Sequence, residues 1–265
     1  LTLMGAGRVT KFFAVPTIYV RLLNLEGLKE KLSKVHYCFS AAASMAGDIV
    51  HQWKARTGLA IHEGYGMTEA APTVTYNHHI KHVIGSVGTE VPNVEIQIRD
   101  PNGIQVGQGR EGEVCVRGPN IMKGYYNNPE GTREAFWGNG WFRSGDVGLL
   151  DEDGYLYIVD RLKDMIITGG ENVYSLEVED VLYTHPDVQE CAVVGSPDKE
   201  WGEIVTAAII PKPSKIIDEK EVKEFLKTRI SGYKVPKLIY TVDEFPRSPA
   251  GKILKRKLRN RFPVS

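Results

Sequence analysis

Residues 35–66, VHYCFSAAASMAGDIVHQWKARTGLAIHEGYG, set an apolar strand pattern, a helical pattern and a second short strand in direct succession. This order constrains the fold most, because two consecutive strands joined through a helix pair in parallel. Ile49, Val50 and Trp53 stand at helical spacing, and Gly58 is placed to stop the helix. A ligand of such a sheet sits beyond the carboxyl ends of its strands. The segments SAAAS (40–44) and YGMTE (65–69) are found there, small or glycine-rich where a strand would end. Upstream, KFFAVPTI (11–18) reads as a short buried strand ended by Pro16.

The pattern then changes twice. From about Val83, VEIQIRD and GEVCVRG alternate strictly and flank turn signals, as half-buried antiparallel strands do, and GYLYIVD follows the turn DEDG. After RLKDMIITGG (161–170) come a helix, SLEVEDVLYTHP, with Ser175 as its expected N-cap, and two apolar strands, ECAVVGS and IVTAAIIP. A second helix, DEKEVKEFLKTRIS, has Asp218 and Glu221 at capping-box spacing and Val222, Phe225, Leu226 and Ile230 on one face; the strand KLIYTVDEF and a basic terminal helix complete the segment. The expected fold is therefore mixed α/β and α+β: a partial parallel α/β subdomain over 1–83, an antiparallel β-subdomain over 84–162, and a compact α+β domain over 163–265.

The 33 basic and 33 acidic side chains cancel, so bulk charge offers no argument for nucleic acid or an anionic membrane. No apolar run has the length of an integral membrane segment. Cys38, Cys115 and Cys191 are far apart and form no CxxC pair, which argues against a disulfide framework or zinc site and fits a reducing cytoplasm. His78, His79 and His82 lack a cysteine or acid at ligand spacing and read as a polar surface loop. The cations of the terminal helix read as a solvated face, since no aromatic platform interleaves them.

Candidate chemistry lies in four short stretches. In YGMTE, glycines let the backbone approach a flat ligand, Thr68 offers a hydroxyl, and Glu69 offers the hard oxygen that Mg²⁺ on phosphates prefers; the competing reading is a surface turn. In WFRSGDVG, Asp146 sits in a Ser-Gly-Asp turn where a carboxylate can accept from ribose hydroxyls, or is simply a turn aspartate. Arg161 follows a strand and can reach the same sugar or a phosphate, or stays solvated. Lys252, after Gly251 in SPAGKILKRKL, can neutralise charge at a phosphoryl centre, or is an ordinary loop lysine.

Taken in order, YGMTE, GEVCVRGPNIMKGYYNNPE, WFRSGDVG, DRLKDMIITGGENVYSLEVE and SPAGKILKRKL resemble the adenylate-forming superfamily of acyl-CoA synthetases, 4-coumarate–CoA ligases, luciferases and peptide-synthetase adenylation domains. DRLKDMI and SPAGKI look most like medium- and long-chain acyl-CoA synthetases. The resemblance covers essentially the whole chain. It implies ATP, CoA and Mg²⁺ as cofactors, a carboxylic (fatty) acid as substrate, and two steps: acyl-AMP formation, then transfer to a thiol. It implies that Ala42, Ala43, Tyr65 and Gly66 lie against the nucleotide, Thr68 and Glu69 hold phosphate and Mg²⁺, and Asp146 and Arg161 bind ribose. Lys163 would be a hinge, Gly169 and Gly170 would line the CoA tunnel, and Lys252 would promote adenylation. A homodimer is compatible with this reading.

The sequence departs from the pattern in lacking a Ser/Thr/Gly-rich phosphate loop upstream of YGMTE, so the chain reads as the C-terminal part of a synthetase whose first strands expose an apolar sheet edge. SAAAS also has Ala and Ser where relatives often show Gly and Pro. Three alternatives stand beside the ligase: a non-catalytic fragment binding AMP, CoA or a partner chain; acyl transfer to a carrier-protein thiol; and a luciferase-like oxygenase, for which no motif speaks, since the chain ends PVS and not SKL.

Overall fold

The computed structural model describes residues 7–78, 80–249, 251–259 and 261–262; His79 lies outside them. The chain divides into two compact units, Leu1–Leu162 and Lys163–Ser265.

The first unit opens with β1 (Lys11–Ala14), and Pro16 then starts helix α1 (Pro16–Leu23) at its first turn, where a missing N–H costs nothing. Pro16 thus begins a helix as well as ending a strand. The one-turn α2 (Leu28–Lys31), β2 (Tyr37–Ser40), α3 (Gly47–Thr57) and β3 (Ile61–Gly66) follow. Gly58 adopts φ 82° and caps α3, and Ile49, Val50 and Trp53 are buried, as their spacing requires. β1–β2 and β2–β3 pair in parallel, and β4 (Thr73–Tyr76) and β5 (Thr89–Glu90) extend the sheet antiparallel, giving the order β1-β2-β3-β4-β5. β1 is the edge, and its Phe13 is 63% exposed, which corrects the reading of KFFAVPTI as a buried strand and agrees with the apolar sheet edge expected of the first strands. A groove there is lined by Lys11, Phe13, His36, Tyr37 and Tyr76.

The second sheet of this unit holds β6 (Glu95–Arg99), β7 (Gly112–Arg117), β9 (Trp141–Leu150) and β10 (Leu156–Arg161) in the order β10-β9-β7-β6, all antiparallel. The short α4 (Pro129–Glu134) and β8 (Phe136–Trp137) precede β9, and β8 pairs with it. Ile96, Ile98, Val114, Val116 and Leu156 form its core with Ala70 and Val74, so the two sheets share apolar packing beneath residues 65–74.

In the second unit, β11 (Ile166–Thr168) and β12 (Glu171–Val173) make a hairpin, followed by α5 (Ser175–Tyr183) and the long antiparallel pair β13 (Val188–Asp198) and β14 (Gly202–Pro211). Then come α6 (Glu219–Lys227), β15 (Leu238–Thr241), parallel to β14, and α7 (Lys255–Arg259). Asp218 caps α6 by accepting from the amides of Lys220 and Glu221, and Val222 and Leu226 are buried beneath it. Ser175 is not the N-cap of α5: Tyr174 holds that position, and the Ser175 hydroxyl bonds the Lys255 ammonium at 2.7 Å. Val178, Leu182, Val193, Val205, Ile209 and Leu226 join one face of the sheet to α5 and α6. Leu258 and Phe262 pack with Ala192, Val194 and Phe245 in a second cluster. All three cysteines are buried and free. Among the described residues, no helix is long and apolar enough to cross a membrane.

Candidate functional site

Asp146 is set by a bulge. Glu113 of β7 pairs with Val147 of β9, while Cys115 pairs with Arg143, so β9 spends two extra residues between the same partners. The expected Ser-Gly-Asp turn is this bulge inside a ten-residue strand, with Gly145 at φ 72°. Buried Glu113 shapes it, accepting from Arg143 Nε at 3.0 Å and from the Gly145 amide at 3.3 Å. Ser144 Oγ accepts from the Asp146 amide at 3.0 Å. Asp146 is 6% exposed.

Two expected nucleotide residues converge on it. Arg161 is its cross-strand partner in the β9–β10 ladder, and Arg161 Nε lies 3.0 Å from Asp146 Oδ1. Tyr65, at the end of β3, donates its hydroxyl to Asp146 Oδ2 at 2.6 Å, across 81 positions of sequence. Burial, followed by the Asp146 charge, holds the Tyr65 phenol well above its ordinary range, so it remains a donor.

The segment after Tyr65 is a tight loop. The Met67 amide donates to Pro72 O at 2.8 Å, and residues Thr68–Ala70 form one 3₁₀ turn. Gly66 is obligatory there, since a Cβ would stand 1.9 Å from the Pro72 carbonyl oxygen. Thr68 is exposed and Glu69 half-buried. The loop is braced by residues to which the motif reading gave no role: the Met122 amide donates to Glu69 O at 2.8 Å, the Asn120 amide group to Ala70 O at 2.8 Å, and the Tyr125 hydroxyl to Glu69 Oε1 at 3.0 Å. The GYYNNPE motif, with Asn128 capping α4, carried the available signal for Tyr125. Ser40, the last residue of β2, is in register with Glu63, so the exposed Ala42 and Ala43 continue from the same sheet end that delivers Tyr65. Ala42 adopts φ 78°, in the left-handed region that favours glycine.

These side chains fit a nucleotide with its metal. A carboxylate has about four acceptor positions, enough for an arginine, a phenol and vicinal hydroxyls. One half-buried carboxylate beside a hydroxyl, Glu69 with Thr68, is the donor set Mg²⁺ uses when phosphates and water complete its shell. Among the described residues, no cluster of three His, Cys, Asp or Glu could cage a metal. His82 is half-buried against the His62 ring at 4.8 Å, and not simply part of an open polar loop.

The remaining candidates belong to the second unit, at separate places. Lys163 is its first residue, and its carbonyl accepts from Arg259 Nη2 at 3.3 Å. Gly169 and Gly170 are the two turn residues of the β11–β12 hairpin, at φ 59° and 87°. Gly169 also lies under the Trp201 ring, where a Cβ would come within 2.7 Å. Lys252 stands in a short hairpin in which the Ser248 amide donates to Lys252 O at 2.9 Å and the Lys252 amide to Ser248 Oγ at 3.2 Å.

Residues 1–126 match the AMP-binding enzyme family and residues 177–252 match the AMP-binding enzyme C-terminal domain. A feruloyl-CoA synthase of Amycolatopsis sp. is 44% identical over 258 residues, covering 96% of this chain and 52% of the relative. A long-chain-fatty-acid–CoA ligase of Escherichia coli O157:H7 is 41% identical over 253 residues, 95% of this chain and 45% of the relative. The ATP-bound crystal structure of MatB from Rhodopseudomonas palustris superposes with a TM-score of 0.92 at 39% identity, over 98% of this chain and 52% of that one. The chain thus spans about half the length of the proteins it matches. With both family segments in order and the fold shared at this identity, the chain belongs to the adenylate-forming, AMP-binding enzymes.

Proposed function

We propose that this chain carries the nucleotide-handling and second-step elements of an ATP-dependent acid–thiol ligase. In the first step a carboxylate oxygen attacks the α-phosphorus of ATP, the α–β P–O bond breaks, and acyl-AMP and pyrophosphate result. In the second, the thiol sulfur of CoA attacks the acyl carbonyl, the bond to the phosphate oxygen breaks, AMP leaves, and the thiol proton passes to solvent. The observation carrying this reading is the convergence of Tyr65 and Arg161 on the buried Asp146.

Asp146 accepts from the ribose hydroxyls, and Arg161 fixes its carboxylate and reaches toward sugar or phosphate. Tyr65, Gly66, Ala42 and Ala43 present a flat, close-approach surface to adenine. Thr68 and Glu69 hold phosphate and Mg²⁺, with Tyr125 orienting the Glu69 carboxylate. Bound Mg²⁺ supplies charge neutralisation at the phosphates. Lys252 lends its positive charge to the phosphoryl transition state of the first step. Lys163 is the hinge, and Gly169 and Gly170 admit the thiol arm in the second step.

The acid is a fatty or aryl carboxylate; relatives named for feruloyl and long-chain fatty substrates match this chain at similar identity, 44% and 41%, so both classes are to be tried. The test is carboxylate-dependent ATP–pyrophosphate exchange with fatty and aryl acids, comparing the parent with Lys252→Ala. Exchange lost in the variant supports the ligase. AMP or CoA binding without exchange in the complete natural protein would favour a binding module instead.

A further inference from the structure

The hairpin bearing Lys252 is flanked by two buried ion pairs, one on each side. Arg247, 18% exposed at its side chain, pairs through Nη2 with Glu190 of β13, itself 4% exposed. Its Nη1 donates to Gly251 O at 3.1 Å, so one guanidinium joins the core carboxylate to the residue preceding Lys252. Arg247 and Ile253 also form the antiparallel bridge that closes the hairpin. On the far side, Lys255 Nζ lies 2.7 Å from Glu179 Oε1 and 2.7 Å from Ser175 Oγ, both on α5. Glu179 is held in turn by the Val193 amide at 2.6 Å.

These pairs are costly to desolvate, and well-packed apolar side chains commonly replace such pairs without loss of stability. Attachment of the segment does not need them, because Phe245, Leu258 and Phe262 already bury it against Ala192 and Val194. What the charges add is direction: a guanidinium at residue 247 that bridges Glu190 and the Gly251 carbonyl, and a bifurcated ammonium at residue 255, fix the hairpin at both ends of its path.

We propose that Arg247 with Glu190, and Lys255 with Glu179, are positioning residues that hold the Lys252 hairpin for the adenylation step. This rests on the assignment of Lys252 to that step. The consequence is a split between half-reactions: disturbing the clamp slows acyl-AMP formation and leaves thioester formation from supplied acyl-AMP and CoA alone.

The experiment compares Arg247→Gln, the apolar pair Arg247→Met with Glu190→Leu, and Lys252→Ala, all in the complete natural protein. Exchange of ATP with pyrophosphate reads the first step, and thioester formation from chemically supplied acyl-AMP reads the second. The apolar pair is expected to melt within about 3 °C of the parent yet lose about a hundredfold in exchange, the cost of a misplacement near 1 Å, with the second step within about twofold. Retained exchange in both Arg247 variants, with exchange lost in Lys252→Ala, overturns the positioning role of the Arg247–Glu190 pair while leaving Lys252 in its role. Retained exchange in Lys252→Ala overturns the role of Lys252 and the clamp with it. Both half-reactions falling in parallel with the melting temperature makes the pairs purely structural and also overturns the proposal.

Discussion

Asp146→Asn isolates the charge at the centre of the proposed nucleotide site. Asparagine has nearly the shape of aspartate, so the bulge of β9, held by Glu113 and the Ser144 hydroxyl, is expected to persist. Tyr65 keeps an acceptor in the amide oxygen. Arg161 faces an NH₂ group instead of an oxygen, but about half of its side chain is in water, so the lost pair costs under about 1 kcal/mol. Folding should therefore change by no more than about 4 °C in melting temperature for a chain of this size. Binding changes more, because a ribose hydroxyl loses a charged acceptor that contributes about 1.5–3 kcal/mol. That corresponds to a roughly 10- to 150-fold weaker dissociation constant for AMP. Titration calorimetry with AMP at fixed ionic strength, beside a thermal melt, measures both. Tyr65→Phe supplies the comparison: it leaves the carboxylate charged and should weaken AMP only a few-fold. An unchanged AMP affinity in Asp146→Asn, with the melt also unchanged, would remove Asp146 from the nucleotide site.

Gly66→Ala should destabilise the chain by about 1–3 kcal/mol in urea unfolding, since the added methyl meets the Pro72 backbone and no flexible side chain can yield; wild-type stability would mean that the loop is looser than its hydrogen bonds indicate. Cys38 and Cys115 have their thiols pushed up by burial to about 11 and about 12, and burial raises Cys191 as well, so Ellman's reagent at pH 8 should find no reactive thiol in the folded protein and all three after denaturation. The alkaline limb of stability should begin near pH 9, the ordinary value of the three thiols that burial raises, and steepen near pH 10. Burial raises Tyr19, Tyr65 and Tyr183 above their ordinary value of 10.0, so above that pH the unfolded chain releases phenolic protons that the folded chain retains. The phenols' share of the unfolding free energy is then flat below pH 10 and falls as pH rises beyond it, so urea titrations at pH 8, 9, 10 and 11 should show a fall that starts with the thiols and steepens with the phenols.

Local patterns carried the elements whose signals are local. Ile49, Val50 and Trp53 with Gly58 specify α3, and Asp218 specifies the start of α6, because periodicity and capping act within one or two turns. The burial of β1 is not legible in its own apolar pattern, which says nothing about whether a neighbouring layer covers it; the apolar edge that Phe13 presents follows from the motif order instead. Local type and position do not reveal a side chain's tertiary partner. Ser175 has the right type and place for an N-cap, yet its hydroxyl is bound to Lys255, 80 residues away. Asp146 looked like a turn residue because Ser-Gly-Asp is turn chemistry, whereas the same three residues make a bulge once Glu113 lies opposite.

The same contrast explains why the candidate site was visible in outline and not in mechanism. Motif order identified Tyr65, Asp146 and Arg161 as members of one set, but the set becomes chemistry only through two different devices. Cross-strand register delivers Arg161 to Asp146 for as long as β9 and β10 hold their pairing. The approach of Tyr65 depends on packing between two sheets, through the Ala70, Val74 and Leu156 cluster. Perturbations of that cluster should therefore reach the nucleotide site through Tyr65 while leaving the Arg161–Asp146 pair intact. Val74→Ala, expected to cost roughly 1–3 kcal/mol in stability, distinguishes the two routes: at temperatures where it stays folded, it should weaken AMP as Tyr65→Phe does, and no further. A loss as large as that of Asp146→Asn would mean that strand register, too, depends on the shared core.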